Sequence, residues 1–237
     1  MNTKPNCGLF ITGTDTGVGK TFVACCIVRE LRATGKRIGV YKPAASGCER
    51  VDGTLVSEDA VALWEAAGRP KTLEAVCPQR FAAPLAPHLA AAAEGRRLDS
   101  KLMRTGLNAW RDDSDFVVVE GAGGLMSPLG DAEYVADLAY EFGYPLIVVA
   151  PNILGVINQT LQTLVAASAF RSGLKVAGIV LNDVKPYDFS NDPSMQSNRR
   201  ELERHAKVPI LATVRYLSEG FDRTAAWDLL GMVSDGR

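Results

Sequence analysis

Residues 8–21 read GLFITGTDTGVGKT: a short apolar run, a glycine-rich turn, then a lysine and a threonine where a helical pattern begins near Gly19. A strand, a turn and a helix in that order direct backbone N–H groups and the positive end of a helix at one point, which suits a phosphate chain. Lys20 is spaced to reach the outer phosphates and the Thr21 hydroxyl to ligate Mg²⁺. The common pattern G-x-x-x-x-G-K-[ST] requires glycine at position 14. This chain has Thr14 there, so the loop carries one residue more between Gly13 and Gly19.

Outward from this loop, apolar runs of strand length recur at residues 8–12, 37–41, 116–120, 145–150, 176–181 and 208–212. Helical patterns at about 20–34, 57–68, 98–111, 132–142, 156–172 and 194–206 separate them, and that alternation predicts an α/β fold with a parallel sheet. The central runs are apolar at nearly every position, as expected of strands covered by helices on both faces. Residues 69–98 read as an irregular connection. Residues 183–193 read as a loop after a strand, and the whole chain, 1–237, reads as a single domain.

Charge is nearly balanced, 26 Lys+Arg against 27 Asp+Glu, so no global basic field exists to hold nucleic acid or an anionic membrane. The longest apolar runs fall far short of the roughly 20 residues of a bilayer span, and the polar residues 1–6 lack a signal peptide's apolar region, so a cytoplasmic protein is expected. Five cysteines, Cys7, Cys25, Cys26, Cys48 and Cys77, without C-x-x-C spacing, suit neither a disulfide framework nor structural zinc.

A Mg²⁺ site needs carboxylates beside the Thr21 hydroxyl. Glu120 ends an apolar strand and opens a glycine turn at residues 120–124 (EGAGG), which puts a carboxylate at the strand tips. Asp59, in residues 57–60 (SEDA), suits a metal ligand or a helix cap equally. Lys42 and Ser46 lie in residues 41–47 (YKPAASG), directly after a strand; Lys42 there is either a crevice cation or a solvated strand end. Asn182 closes a strand and could read a base through its amide. Residues 182–185 read NDVK rather than the guanine-reading N-K-x-D, which favours adenine. His88 and His205 belong to no triad.

Together the loop, YKPAASG, SEDA, EGAGG, residues 154–158 (LGVIN) and 181–183 (LND) resemble the dethiobiotin synthetase family, in order, over about residues 8–219. The resemblance implies a P-loop NTPase fold, a homodimer, and an ATP- and Mg²⁺-dependent reaction. In it, 7,8-diaminononanoate takes up CO₂ as a carbamate, the carbamate oxygen attacks the γ-phosphate, and the second amine displaces phosphate to close a cyclic urea. Carried over by motif, Lys42, Lys20 and Thr16 are the catalytic candidates and Thr21, Asp59 and Glu120 the metal ligands. The nucleotide falls to Gly17, Val18, Gly19, Lys20, Thr21, Phe22, Asp59, Glu120, Gly121, Ala122, Gly123, Asn182, Asp183, Val214, Arg215, Tyr216 and Glu219. Diamine or carbamate falls to Thr16, Lys42, Ser46, Gly123 and Asn158, the last across the dimer interface.

Departures from that family's pattern are Gly17, where some members carry a side chain, Arg215, where proline is frequent, and the missing lysine in residues 150–154 (APNIL). The partition and septum-placement switch ATPases carry a signature lysine near the start of the loop, where this chain has Asp15. That negative charge favours the synthetase. The cobyrinic acid amide synthases add a glutamine-hydrolysing domain, for which the roughly 20 residues beyond Glu219 leave no room.

Overall fold

The computed structural model describes residues 7–186, 190, 192–218, 220–223 and 225–232. In chain order the elements are β1 (Gly8–Gly13), α1 (Lys20–Ala33), β2 (Ile38–Tyr41), β3 (Glu49–Val51), β4 (Thr54–Val56), α2 (Glu58–Ala66), α3 (Leu73–Val76) and α4 (Pro87–Ala93). There follow α5 (Ser100–Thr105), α6 (Asn108–Arg111), β5 (Phe116–Gly124), α7 (Val135–Phe142), β6 (Leu146–Pro151), α8 (Val156–Ala169), β7 (Val176–Asn182), a 3₁₀ turn at Pro193–Gln196, α9 (Asn198–His205), β8 (Ile210–Val214) and α10 (Trp227–Leu230).

Six strands form one parallel sheet in the order β2-β5-β1-β6-β7-β8. All residues of β1, β2 and β6 are buried, because helices flank the sheet and leave neither face to water. The chain leaves β1 for β2 and β5 on one side and later returns to β6 on the other. The order therefore reverses about β1, and the crevice beyond the carboxyl ends of such strands is where open α/β sheets hold ligands. The phosphate loop starts there. No helix among the described residues is long and apolar enough to cross a membrane.

The six predicted strands and their parallel pairing stand. The predicted helix over 98–111 is instead two short ones, α5 and α6. The Tyr41 hydroxyl, at the end of β2, donates to the Met103 carbonyl at 2.9 Å and lies 3.2 Å from that of Leu102, taking up the end of α5. Asn198, not residue 194, opens the helix before β8. Between 69 and 98, expected to be irregular, α3 and α4 form single-turn and two-turn helices. Residues 187–189 and 191, within the predicted loop at 183–193, lie outside the described residues, as do residues 1–6.

Candidate active site

Gly17 and Gly19 both take left-handed φ, 74° and 86°, to turn the chain from β1 into α1. At Gly19 a side chain is also excluded sterically: its Cβ would lie 2.0 Å from the Asn182 Nδ2. That amide, at the tip of β7, donates to the Val18 carbonyl at 3.0 Å and braces the loop from behind. Gly19 caps α1 without a side-chain hydrogen bond, which leaves the first turn's N–H groups to a ligand. The Lys20 Nζ donates to the Asp15 carbonyl at 3.0 Å across the loop. Burial pulls the Lys20 pKa below its ordinary value, against the opposing pull of Glu120.

Four side chains from four segments meet beside this loop. The Thr21 Oγ1 lies 2.8 Å from Asp59 Oδ1 and 2.8 Å from Glu120 Oε1. One hydroxyl proton cannot satisfy both carboxylates, so the arrangement concentrates oxygen lone pairs. The Lys42 Nζ bridges the same two groups, 2.7 Å from Glu120 Oε1 and 2.7 Å from Asp59 Oδ2. Burial alone penalises the Lys42 ammonium, but Glu120 and Asp59 outweigh it and raise its pKa well above the usual lysine range. For Asp59, burial opposes ionisation, yet Lys42 and the Thr21 hydroxyl hold its carboxyl below the usual range.

The chain places each member by local means. In α2 the cap is Ser57, whose Oγ accepts from Ala60 N at 3.3 Å, which frees the Asp59 carboxylate for the cluster. The stretch after β2 is pinned by backbone bonds to residues 76–83: Lys42 N to Val76 O (2.8 Å), Ala45 N to Gln79 O (2.9 Å) and Cys48 N to Phe81 O (2.9 Å). Glu120 sits in β5 and is 1% exposed, and its Oε2 is buried without a hydrogen-bond partner. A buried lone carboxylate oxygen, a second carboxylate and a hydroxyl form an all-oxygen donor set of the kind Mg²⁺ takes alongside phosphate and water. These residues fit that ion.

A cavity of about 460 Å³ opens onto the cluster. Its walls include Thr16, Gly17, Gly19, Lys20, Thr21 and Phe22 from the loop and the start of α1, Lys42, Ser46, Glu120, Ala122 and Gly123 from the ends of β2 and β5, and Asp59 from α2. A second cavity of about 280 Å³ shares Gly17, Gly19 and Phe22 with it and is closed by Asn182, Asp183, Arg215 and Tyr216. The two adjoin through those three residues. Gly123 runs so close to the loop that its Cβ would stand 3.4 Å from the Thr16 Oγ1.

Three predicted nucleotide residues line neither cavity. Val18 is buried and acts through its carbonyl, Gly121 packs against Phe10 and Val135, and Val214 is a buried strand residue whose carbonyl accepts from Asp183 N at 2.9 Å. Asn158 is exposed on α8 and also lines neither. Glu219 lies outside the described residues.

Ala45, Val184 and Leu217 also line the cavities although the sequence singled out none of them. Behind the smaller cavity, Asn152 Nδ2 donates to Asp183 Oδ1 (2.8 Å) and Asn198 Nδ2 to Asn152 Oδ1 (3.0 Å), while Arg215 Nη1 reaches Asp183 Oδ2 at 3.3 Å. The position of Asn152 at a strand tip was the available signal; nothing in the sequence around Asn198 marks it.

A protein-family model described as AAA domain matches residues 7–220. The chain is 46% identical over 217 residues to the ATP-dependent dethiobiotin synthetase BioD of Rhodopirellula baltica, covering 87% of this chain and 83% of that protein. It is 49% identical over 197 residues to the protein of the same name from Anaeromyxobacter dehalogenans, covering 83% and 84%. To ATP-dependent dethiobiotin synthetase BioD 1 of Escherichia coli K12 it is 38% identical over 216 residues, covering 91% and 93%. Among solved structures, the signal recognition particle receptor FtsY from Elizabethkingia anophelis in complex with GDP superposes with a TM-score of 0.58 at 13% identity. That match covers all of this chain, which spans 66% of the receptor's own length, and the likeness is one of fold, that of the P-loop NTPases.

Proposed function

Since the chain belongs to the AAA domain family and to the ATP-dependent dethiobiotin synthetases, we propose that it closes the cyclic urea of dethiobiotin from 7,8-diaminononanoate, CO₂ and MgATP. The observation that carries this reading is the junction of Thr21, Asp59, Glu120 and Lys42 at the mouth of the phosphate loop. It supplies a metal-ligand set and a fixed cation where a triphosphate ends.

In this reading the loop N–H groups and Lys20 hold the triphosphate, and the base enters the cavity between Phe22, Asn182 and Tyr216. Thr21, Asp59 and Glu120 would hold Mg²⁺, which would neutralise charge on the phosphate oxygens. One amine of the substrate adds to CO₂ and loses a proton to give the carbamate. A carbamate oxygen then attacks the γ-phosphorus and ADP leaves; the second amine attacks the carbamoyl carbon and phosphate leaves.

Lys42 stays protonated throughout the physiological range, because Glu120 and Asp59 raise its pKa. Its part is therefore electrostatic: an ammonium fixed where two anions approach, with no reorganisation needed at the moment of transfer. Thr16, Ser46 and Gly123 line the same cavity and bound the space left for the diamine. We assign Asn158 to the substrate tail of a second subunit in a homodimer; its exposure on α8, beside Leu154 at 78% exposure, supports that role. The chain acts as one domain.

The test is phosphate release by the purified protein with MgATP. Release should require diamine and bicarbonate together; ADP binding with no diamine-dependent phosphate would leave a nucleotide-binding module and overturn the synthetase reading.

A further inference from the structure

On the far side of the ladder that pins Lys42, a separate cavity of about 640 Å³ is lined by Arg50, Leu55, Pro78, Arg80, Glu94 and Arg96. None of these residues lines either nucleotide cavity. Three guanidinium groups against one carboxylate make its wall positive, in a protein whose overall charge is −1.

The one carboxylate is already committed. Glu94 Oε1 accepts from Ala82 N at 2.6 Å and Oε2 from Arg96 Nη1 at 3.1 Å. Arg96 also donates to the Arg80 carbonyl at 3.2 Å and lies 4.7 Å over the Phe81 ring. Arg50, from the β3–β4 hairpin, donates to the Gly53 carbonyl at 3.1 Å. Arg80 meets the exposed Glu74 at 3.4 Å through Nη2, while its Nη1 is buried without a hydrogen-bond partner. That nitrogen is closed off from the cavity, so the recognition rests on the guanidinium edges that line it: with the one carboxylate of the wall committed, the cavity favours an anion, and an oxyanion is the partner that a planar fork fits best.

We propose that Arg50, Arg80 and Arg96 form a binding site for a small multivalent oxyanion, phosphate or polycarboxylate, distinct from the phosphate loop. The site borders the active cavity through the backbone: Arg80 bridges Ala45, the residue before Ser46.

The 237-residue chain is first titrated with ADP and Mg²⁺, which reports on the phosphate loop. With that loop then filled to the γ position by a non-hydrolysable ATP analogue and with free Mg²⁺ held constant, inorganic phosphate and citrate are titrated separately by calorimetry, and the tighter probe identifies a phosphate or a carboxylate ligand. One anion should bind per chain. Arg80→Gln, which keeps the backbone pairing with Ala45, should weaken it about tenfold or more, as loss of a charge-assisted hydrogen bond does. Arg50→Gln, on the exposed hairpin, should weaken it too and stands in if the first variant does not fold. ADP affinity should not change in either variant. Binding of neither probe to the wild type, or equal affinity in wild type and a folded variant, would overturn the site.

Discussion

Lys42→Gln removes the cation that bridges both carboxylates of the cluster. Glu120 is 1% exposed and Lys42 4%, so this contact is buried, whereas the Asp59 side chain is 47% exposed and water takes over much of its share. Breaking a buried ion pair from one side costs about 3–5 kcal/mol because the remaining charge is left unpaired. With glutamine retaining a polar group at the site, the lower end, about 3 kcal/mol, is expected, which is a fall of about 6–12 °C in melting temperature for a chain of this size.

The loss has a pH signature. The Asp59 pKa is depressed, so its contribution is fully present above its ordinary value of 3.8 and disappears as pH falls through the lower folded value. The Lys42 pKa is raised, so its contribution is fully present below 10.5 and disappears as pH rises through the higher folded value. Wild type and variant should therefore differ most between about pH 4 and 10.5 and converge on either side. In turnover, losing a preorganised cation should lower kcat about 10²–10³-fold, with ADP affinity changed far less. Melting curves across pH, phosphate release and an ADP titration check these together. An unchanged melting temperature at neutral pH, or kinetics equal to wild type, would refute the assigned role of Lys42.

Other outcomes follow from the same geometry. Gly19→Ala should destabilise the protein by at least about 1–2 kcal/mol for the left-handed backbone alone, and weaken ADP binding by driving Asn182 off the loop; wild-type melting and ADP titration curves would contradict the bracing contact. Thr21→Val keeps the side-chain shape but removes the hydroxyl, so the Mg²⁺ concentration for half-maximal phosphate release should rise about tenfold; an unchanged Mg²⁺ curve would exclude the hydroxyl as a ligand. Burial pushes the Cys25 and Cys77 thiols up to about 12, so neither should react with a disulfide reagent at pH 8 until the protein unfolds. Fast labelling of either in the native state would contradict the packing of α1 or of the turn after α3.

The six-stranded sheet was legible because fully buried parallel strands are apolar at nearly every position, as in 146–150. The loop, Lys42 and Glu120 were legible because each follows such a run, and strand tips converge. The β3–β4 hairpin was not read, although Asp52 and Gly53, at φ 49° and 81°, form the Asp-Gly turn that marks a hairpin. All three residues of β3 are exposed, so no alternation between buried and solvated positions advertised it. Asp59 illustrates another limit: SEDA gives no choice between cap and ligand, and only the Ser57 to Ala60 bond divides the roles. The arginine cavity draws Arg50, Arg80 and Arg96 from three segments, and no local pattern joins them.

The most direct measurement is a mass spectrum of the product formed from ATP, Mg²⁺, ¹³C-bicarbonate and 7,8-diaminononanoate. The account predicts dethiobiotin carrying one ¹³C at the urea carbonyl, formed in equal amount with ADP. Recovery of unlabelled diamine alone, with ADP binding intact, would contradict it.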